Sequence, residues 1–327
     1  MAGMKILVTG GAGFIGSHTC EQLLAAGHTV VALDNFDDYY SPKRKRRNVA
    51  AALQHSNYKL VEFDFGDRVA VGELLQAEKF DAVLHLAAQA GVRLSIYDPL
   101  KYERANVSNL ISLLEAMRQY GPKKIVAASS SSVYGNSTPA PFREDAPCLQ
   151  PQSPYGASKR AAEIFLGTYH TLYDFKVILV RPFTVYGPRQ RPDMAIASFA
   201  RMILVGETIT LFGDGSSARD YTYVADVAGA LVTALETFPV EFGIYNLGGE
   251  TPVTLSDLVA QLEQATGKQA RIERQPAQPG DVERTCADIS KARKDLAFDP
   301  KVKLAEGLQQ TVEWVRQELR LEGAAVG

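Results

Sequence analysis

The stretch that most constrains this chain is "KILVTGGAGFIGSH", residues 5–18. A short apolar run rich in β-branched residues reads as a strand, and the glycines that follow force a tight turn into a helix. Gly10, Gly13 and Gly16 fit G-x-x-G-x-x-G, while Gly11, Gly13 and Gly16 fit G-x-G-x-x-G. Early glycines permit the turn, Gly13 lets the backbone approach a pyrophosphate, and Gly16 lets the helix pack closely on the sheet. The exposed N–H groups around Phe14, Ile15 and Gly16 then form an anion site at a helix start. A second apolar run, "TVVALD", ends in Asp34, followed by Asn35. A carboxylate there accepts hydrogen bonds from ribose hydroxyls and repels a 2′-phosphate, so NAD is expected over NADP. Asp64 and Phe65, ending a third run, are candidates for the adenine edge and face.

Further along, "AVLHLA", "KIVAAS" and "KVILVRP" alternate with amphipathic stretches such as "NLISLLEAMRQYG". That alternation predicts an α/β fold, a Rossmann-type doubly wound parallel sheet with a smaller α/β substrate-binding lobe. We expect residues 1–181 to form the NAD-binding part, with 222–248 returning to it, and 182–327 mainly the second lobe. From about 254 the chain reads as helical and charged. A length of 327 residues and a net charge of −2 fit a globular protein with no field to attract nucleic acid or an anionic membrane. The basic run "KRKRR" (43–47) reads as a solvated helix face. No apolar run reaches the roughly 18 to 20 residues of a bilayer span, and the N-terminus enters a strand directly, so a cytoplasmic protein is expected. Three scattered cysteines and five histidines without ligand spacing argue against a disulfide framework or a metal site.

The chemical signal lies in "SPYGASK", where Tyr155 and Lys159 are four residues apart at a helix start and share a face. A free tyrosine ionises near pH 10, so a nearby ammonium is needed to make it a base. Upstream, "SSSSVYG" sets Ser130, Ser131 and Ser132 at a strand end; which of them takes part is left open by the spacing.

Together, "GGAGFIG", "HLAAQAGVR", "SSSSVYG", "YGASK", "RPFTVYGP" and "ARDYTYVADV" resemble the extended short-chain dehydrogenase/reductase family, over about residues 4 to 315. Within it, "DNFDDYYSPKRKR" and "RQRPDMA" are most similar to the UDP-glucuronate 4-epimerases. The resemblance implies that Tyr155 removes the proton from a sugar 4-hydroxyl while NAD oxidises C4, with a serine of 130–132 bonded to the same oxygen. Dehydratases of the family carry Asp-Glu before V-Y-G, and UDP-xylose-forming decarboxylases a Glu. Here stand Ser131 and Ser132, which leaves 4-epimerisation. Thr184, where galactose epimerases usually have Asn, and Arg191 would suit a C5 carboxylate, whereas a surface role for Arg191 is the alternative. Arg219 would bind the pyrophosphate, Asp281 belongs to the loop closing on the nucleotide, and Arg93 faces sugar or phosphate. Leu86, Ala87, Ala88 and Asn106 would line the cofactor; His85 reads as structural. Family precedent implies a homodimer through helices near 107–120 and 157–172. Alternatives are a 4-epimerase of a neutral UDP-hexose, a UDP-sugar decarboxylase or dehydratase, and a non-catalytic NAD-binding sensor.

Overall fold

The structure, a computed structural model, describes residues 3–276 and 282–323. Its first half runs β1 (Lys5–Thr9), α1 (Phe14–Ala25), β2 (Thr29–Leu33), α2 (Pro42–Asn48), β3 (Tyr58–Val61), α3 (Arg68–Glu78), β4 (Ala82–His85), α4 (Val92–Tyr97), α5 (Pro99–Glu103), α6 (Asn109–Tyr120) and β5 (Lys124–Ala128). The second half runs α7 (Pro154–Tyr173), β6 (Lys176–Pro182), β7 (Thr184–Tyr186), α8 (Ala195–Val205), β8 (Thr208–Phe212), β9 (Ala218–Tyr223) and α9 (Val224–Thr237). It continues through β10 (Phe242–Leu247), β11 (Pro252–Thr254), α10 (Leu255–Thr266), β12 (Arg271–Gln275), α11 (Ser290–Leu296) and α12 (Leu304–Leu321).

Seven strands pair in parallel in the order β10-β6-β5-β4-β1-β2-β3, the doubly wound architecture that the alternating pattern predicts. Both faces of this sheet are apolar because alternate residues of each strand point opposite ways. Ile6 and Val8 of β1, with Val30 and Ala32 of β2, enter a core with Leu23 of α1 and Leu231 of α9. Their neighbours Leu7, Val31 and Leu33 enter the opposite core, with Leu75 of α3, Leu113 of α6 and Leu166 of α7. Truncating a fully buried residue such as Leu7 to Ala would cost about 2–5 kcal/mol. Neighbouring strands leave the central β1 in opposite directions, which opens a crevice at the C-terminal strand ends.

A third core gathers Ile203 of α8, Leu262 of α10 and Val312 of α12 beside two small sheets, β11-β9-β7 and the parallel pair β12-β8. Here the structure corrects the expectation of an all-helical tail. The strand "RIERQ" is exposed throughout and so carries no apolar alternation to betray it. Nor is the basic run of α2 merely solvated. Arg44 and Arg47 both bond Glu318 of α12, Arg46 bonds Glu62, and Lys45 is buried beside Asp34. No helix among the described residues is long and apolar enough to cross a membrane.

Candidate active site

A cleft of about 650 Å³ opens at the C-terminal ends of the large sheet and extends to the start of β7. Its cofactor wall starts at the glycine turn. Gly10 adopts φ +72°, and a Cβ there would lie 2.7 Å from the Ala87 nitrogen; one on Gly16 would lie 2.1 Å from the Gly10 oxygen. Both positions are therefore closed to any side chain. Gly13 starts α1 with no side-chain cap and no acid in the first turn, so the N–H groups at Phe14 and Ile15 face the cleft uncompensated.

Asp34 is buried and held by the backbone N–H groups of Ala12 (3.2 Å) and Phe36 (2.9 Å), with Lys45 Nζ at 3.5 Å. Asn35 donates to Asp64 at 3.0 Å, and Phe65 packs edge-on to His85. Leu86, Ala87 and Ala88 line the same wall. His85 pairs with Thr9 Oγ1 at 2.8 Å, while burial and the charge of Lys159 push its pKa down to about 3, so it stays neutral. The sequence reading sets Asn106 against the cofactor. Asn106 instead lies outside the residues lining the cleft, and its amide is engaged by the Gln89 backbone and Ser158 Oγ.

At the reacting end, Ser153 caps α7 by accepting from the Gly156 N–H, which fixes Tyr155 and Lys159 in its first two turns. Burial raises the Tyr155 phenol above its ordinary pKa, and a hydrogen bond with Ser130 and the charge of Arg191 partly offset that rise. Lys159 lies one turn further along the same helix face. Its ammonium donates to the Ala128 carbonyl at 2.8 Å, and burial lowers its pKa to about 8. The serines now separate in role. Ser129 donates to buried Glu163 at 2.6 Å, Ser130 bonds Tyr155 and accepts from the Ser132 N–H, and Ser131 and Ser132 line the cleft.

Beyond Tyr155, Thr184 opens β7 and Arg191 faces the same space. Arg191 is gripped by Asp193 through two 3.0 Å hydrogen bonds, and Tyr39 donates to the same carboxylate at 3.0 Å. Arg93 and Arg219 are not among the cleft-lining residues. The Arg93 guanidinium stacks on Phe212 at 4.6 Å, and Arg219 donates to the carbonyls of Ala218 and Glu283. Asp281 lies outside the described residues. Lys45, Tyr39, Gln89 and Asp193 line the cleft although sequence reasoning passed over them. All four lie inside motifs already singled out, "DNFDDYYSPKRKR", "HLAAQAGVR" and "RQRPDMA".

The sequence pattern of the NAD dependent epimerase/dehydratase family matches residues 6–248. The chain belongs to that family. This epimerase/dehydratase is 40% identical over 316 residues to the UDP-glucuronate 4-epimerase of Thermodesulfobacterium geofontis, covering 96% of this chain and 97% of the relative. Its fold matches the crystal structure of UDP-glucuronic acid 4-epimerase from Bacillus cereus in complex with UDP-glucuronic acid and NAD. The TM-score is 0.90 at 38% identity, over 96% of this chain and all of that one. It also matches the UDP-glucose 4-epimerase of Thermotoga maritima with UDP-glucose, at TM-score 0.88 and 34% identity, over 97% and 100% of the two chains.

The residues of this epimerase/dehydratase fit NAD. A backbone cradle that any Cβ would fill faces the uncapped start of α1, and a carboxylate fixed by two N–H groups stands where a 2′-phosphate would be repelled. Among the described residues no group of three or more His, Cys, Asp or Glu could hold a metal ion.

Proposed function

We propose that this epimerase/dehydratase interconverts UDP-glucuronate and UDP-galacturonate by 4-epimerisation through a 4-keto sugar. The observation that carries the reading is one cleft in which Tyr155, bonded to Ser130, faces Thr184 and Arg191, with hydroxyls at 131 and 132 where elimination needs acids. When bound, NAD supplies reversible two-electron oxidation at C4. The glycine turn, Asp34 and Lys159 would hold it. Tyr155 Oη, as phenolate, takes the proton of the 4-hydroxyl, and Ser130 orients that oxygen. Burial raises the phenol, and the Ser130 bond and the Arg191 charge offset part of that rise. After the ketose turns over, the same Oη returns the proton to the new 4-oxygen. A 4-keto uronate is a β-keto acid, and Thr184 with Arg191 hold its carboxylate away from the alignment that releases carbon dioxide.

A second reading, 4-epimerisation of a neutral UDP-hexose, is favoured by one feature: Asp193 already neutralises Arg191. Incubating the protein as isolated with UDP-glucuronate or UDP-glucose, with no added cofactor, and following products by NMR decides between them. Appearance of the galacto isomer only from UDP-glucose would overturn the uronate reading.

The reading extends to a cytoplasmic enzyme in which residues 1–181 with 222–248 hold the cofactor and 182–327 mainly hold the nucleotide sugar. It also includes a homodimer through α6 and α7, supported by exposed Tyr120, Ile164 and Leu172. A monomer by light scattering at micromolar concentration would remove the dimer.

A further inference from the structure

The loop between β2 and α2 crosses the cleft. From Asp34 at the adenosine end it is pinned by Asn35 to Asp64 and by Asp37 to Lys101 of α5 at 3.5 Å. It then delivers Tyr39 to the sugar end, where a Cβ on Gly91 would lie 2.6 Å from the Tyr39 hydroxyl. Gly91, at φ +109°, is what admits this phenol. There Tyr39 donates to Asp193 Oδ2, and its ring lies 5.6 Å from the Arg191 guanidinium carbon. Asp193 in turn takes Arg191 Nε through Oδ1 and Nη2 through Oδ2.

A guanidinium has five N–H groups, and its Nε/Nη2 edge is one of the two edges that match a carboxylate in bidentate fashion. In this cleft that edge belongs to Asp193. A ligand carboxylate is left the Nη1 side, at an angle fixed by the Asp193–Tyr39 pair rather than by the ligand. The charge of Arg191 is also balanced, so a uronate is received through oriented hydrogen bonds rather than through an unpaired cation.

On the reading that the substrate is UDP-glucuronate, we propose that Asp193 and Tyr39 are positioning residues for Arg191, which fix the plane of the sugar carboxylate and so decide whether the 4-keto intermediate keeps its carbon dioxide. The competing step is balanced without any further reactant. The C5–C6 bond breaks, its electron pair moves into a C4–C5 enolate, carbon dioxide leaves, and a proton from solvent adds at C5. That step needs the breaking bond perpendicular to the carbonyl plane. Freeing the guanidinium lets the carboxylate turn into that position.

The test compares the wild-type holoenzyme with Asp193→Ala, Asp193→Glu and Tyr39→Phe, each given UDP-glucuronate, with UDP-galacturonate and UDP-pentose or UDP-4-keto-pentose quantified by NMR and mass spectrometry. Asp193→Ala and Tyr39→Phe are expected to raise the pentose share about tenfold or more, as for loss of a hydrogen bond to a charged group, with Asp193→Glu restoring part of the wild-type ratio. A role confined to stability would lower the melting temperature or NAD content and leave the product ratio alone. If Asp193→Ala does not fold, Tyr39→Phe decides by itself. Wild-type conversion of UDP-glucuronate together with an unchanged ratio in the folded variants overturns this inference and leaves the proposed function standing. A wild-type protein that epimerises only neutral sugars overturns both.

Discussion

Two arginine–carboxylate pairs, Arg181–Glu163 in the core and Arg191–Asp193 at the cleft, differ mainly in how much water reaches them. Arg181 bonds Glu163 at 2.8 Å through both Nε and Nη2, and both side chains are 1% exposed. Arg191 bonds Asp193 with the same bidentate geometry, but the side chains are 22% and 34% exposed and face the cleft. In the buried pair each Glu163 oxygen accepts twice, because Ser129 and Arg160 also bond it, and the Arg181 guanidinium lies over the Tyr134 ring. Such a pair fixes α7 against β5 and β6, and therefore fixes Tyr155 and Lys159. Its net contribution is small beside the damage done when one partner is lost. The open pair keeps N–H groups in reserve for a ligand. One chemical motif thus serves the scaffold in one place and, on the function proposed above, the substrate in another.

Breaking the buried pair is expected to have the largest effect on stability. Glu163→Ala strands the Arg181 charge and should lower unfolding free energy by about 3–5 kcal/mol, read by urea denaturation. A change as small as that for an exposed pair would dissolve the distinction drawn here. Tyr155→Phe should do the opposite. It should cut turnover by about 10²- to 10⁴-fold with an unchanged melting temperature, measured by coupled assay and calorimetry. Arg191→Ala should raise the KM for UDP-glucuronate about tenfold or more while sparing stability, and steady-state kinetics on folded protein checks this.

Acid sharpens the contrast. Burial raises both carboxyls, but the arginine hydrogen bonds and charge prevail and hold Glu163 and Asp193 below their ordinary values of 4.5 and 3.8. Each therefore contributes stability that is fully present above its ordinary value and is lost as pH falls through the depressed one. Glu163→Gln should flatten the acid limb of the stability curve more than Asp193→Asn, because its pair is drier; equal slopes would count against this. The smallest effect belongs to the solvated Arg46–Glu62 pair, where Arg46→Ala should leave the melting temperature unchanged within error.

The large sheet and the glycine turn are legible in the sequence. Near-continuous apolar runs set the strands of the large sheet, and the glycines set the turn, because each is a local steric or packing requirement carried by consecutive residues. Tyr155 and Lys159 share a helix face by spacing alone. What those two residues do to one another was not legible. Lys159 donates to the Ala128 carbonyl, and Arg191, 36 positions downstream of Tyr155, adds a charge that lowers the phenol. Polar strands such as β12 were also invisible, since an exposed pair of strands needs no apolar pattern.

The sequence by itself determined the doubly wound sheet, the dinucleotide turn and the hydroxyls that stand where acids would drive elimination. These are properties of short segments, and short segments carry their own periodicity and sterics. Only the tertiary structure decided that Ser130 bonds Tyr155 while Ser129 supports Glu163, that Lys45 of a basic run is buried against Asp34, and that Tyr39 and Asp193 hold Arg191. Those pairings join residues up to 154 positions apart. Their distances and burial, which set hydrogen-bond strength and charge, exist only once the chain has closed on itself.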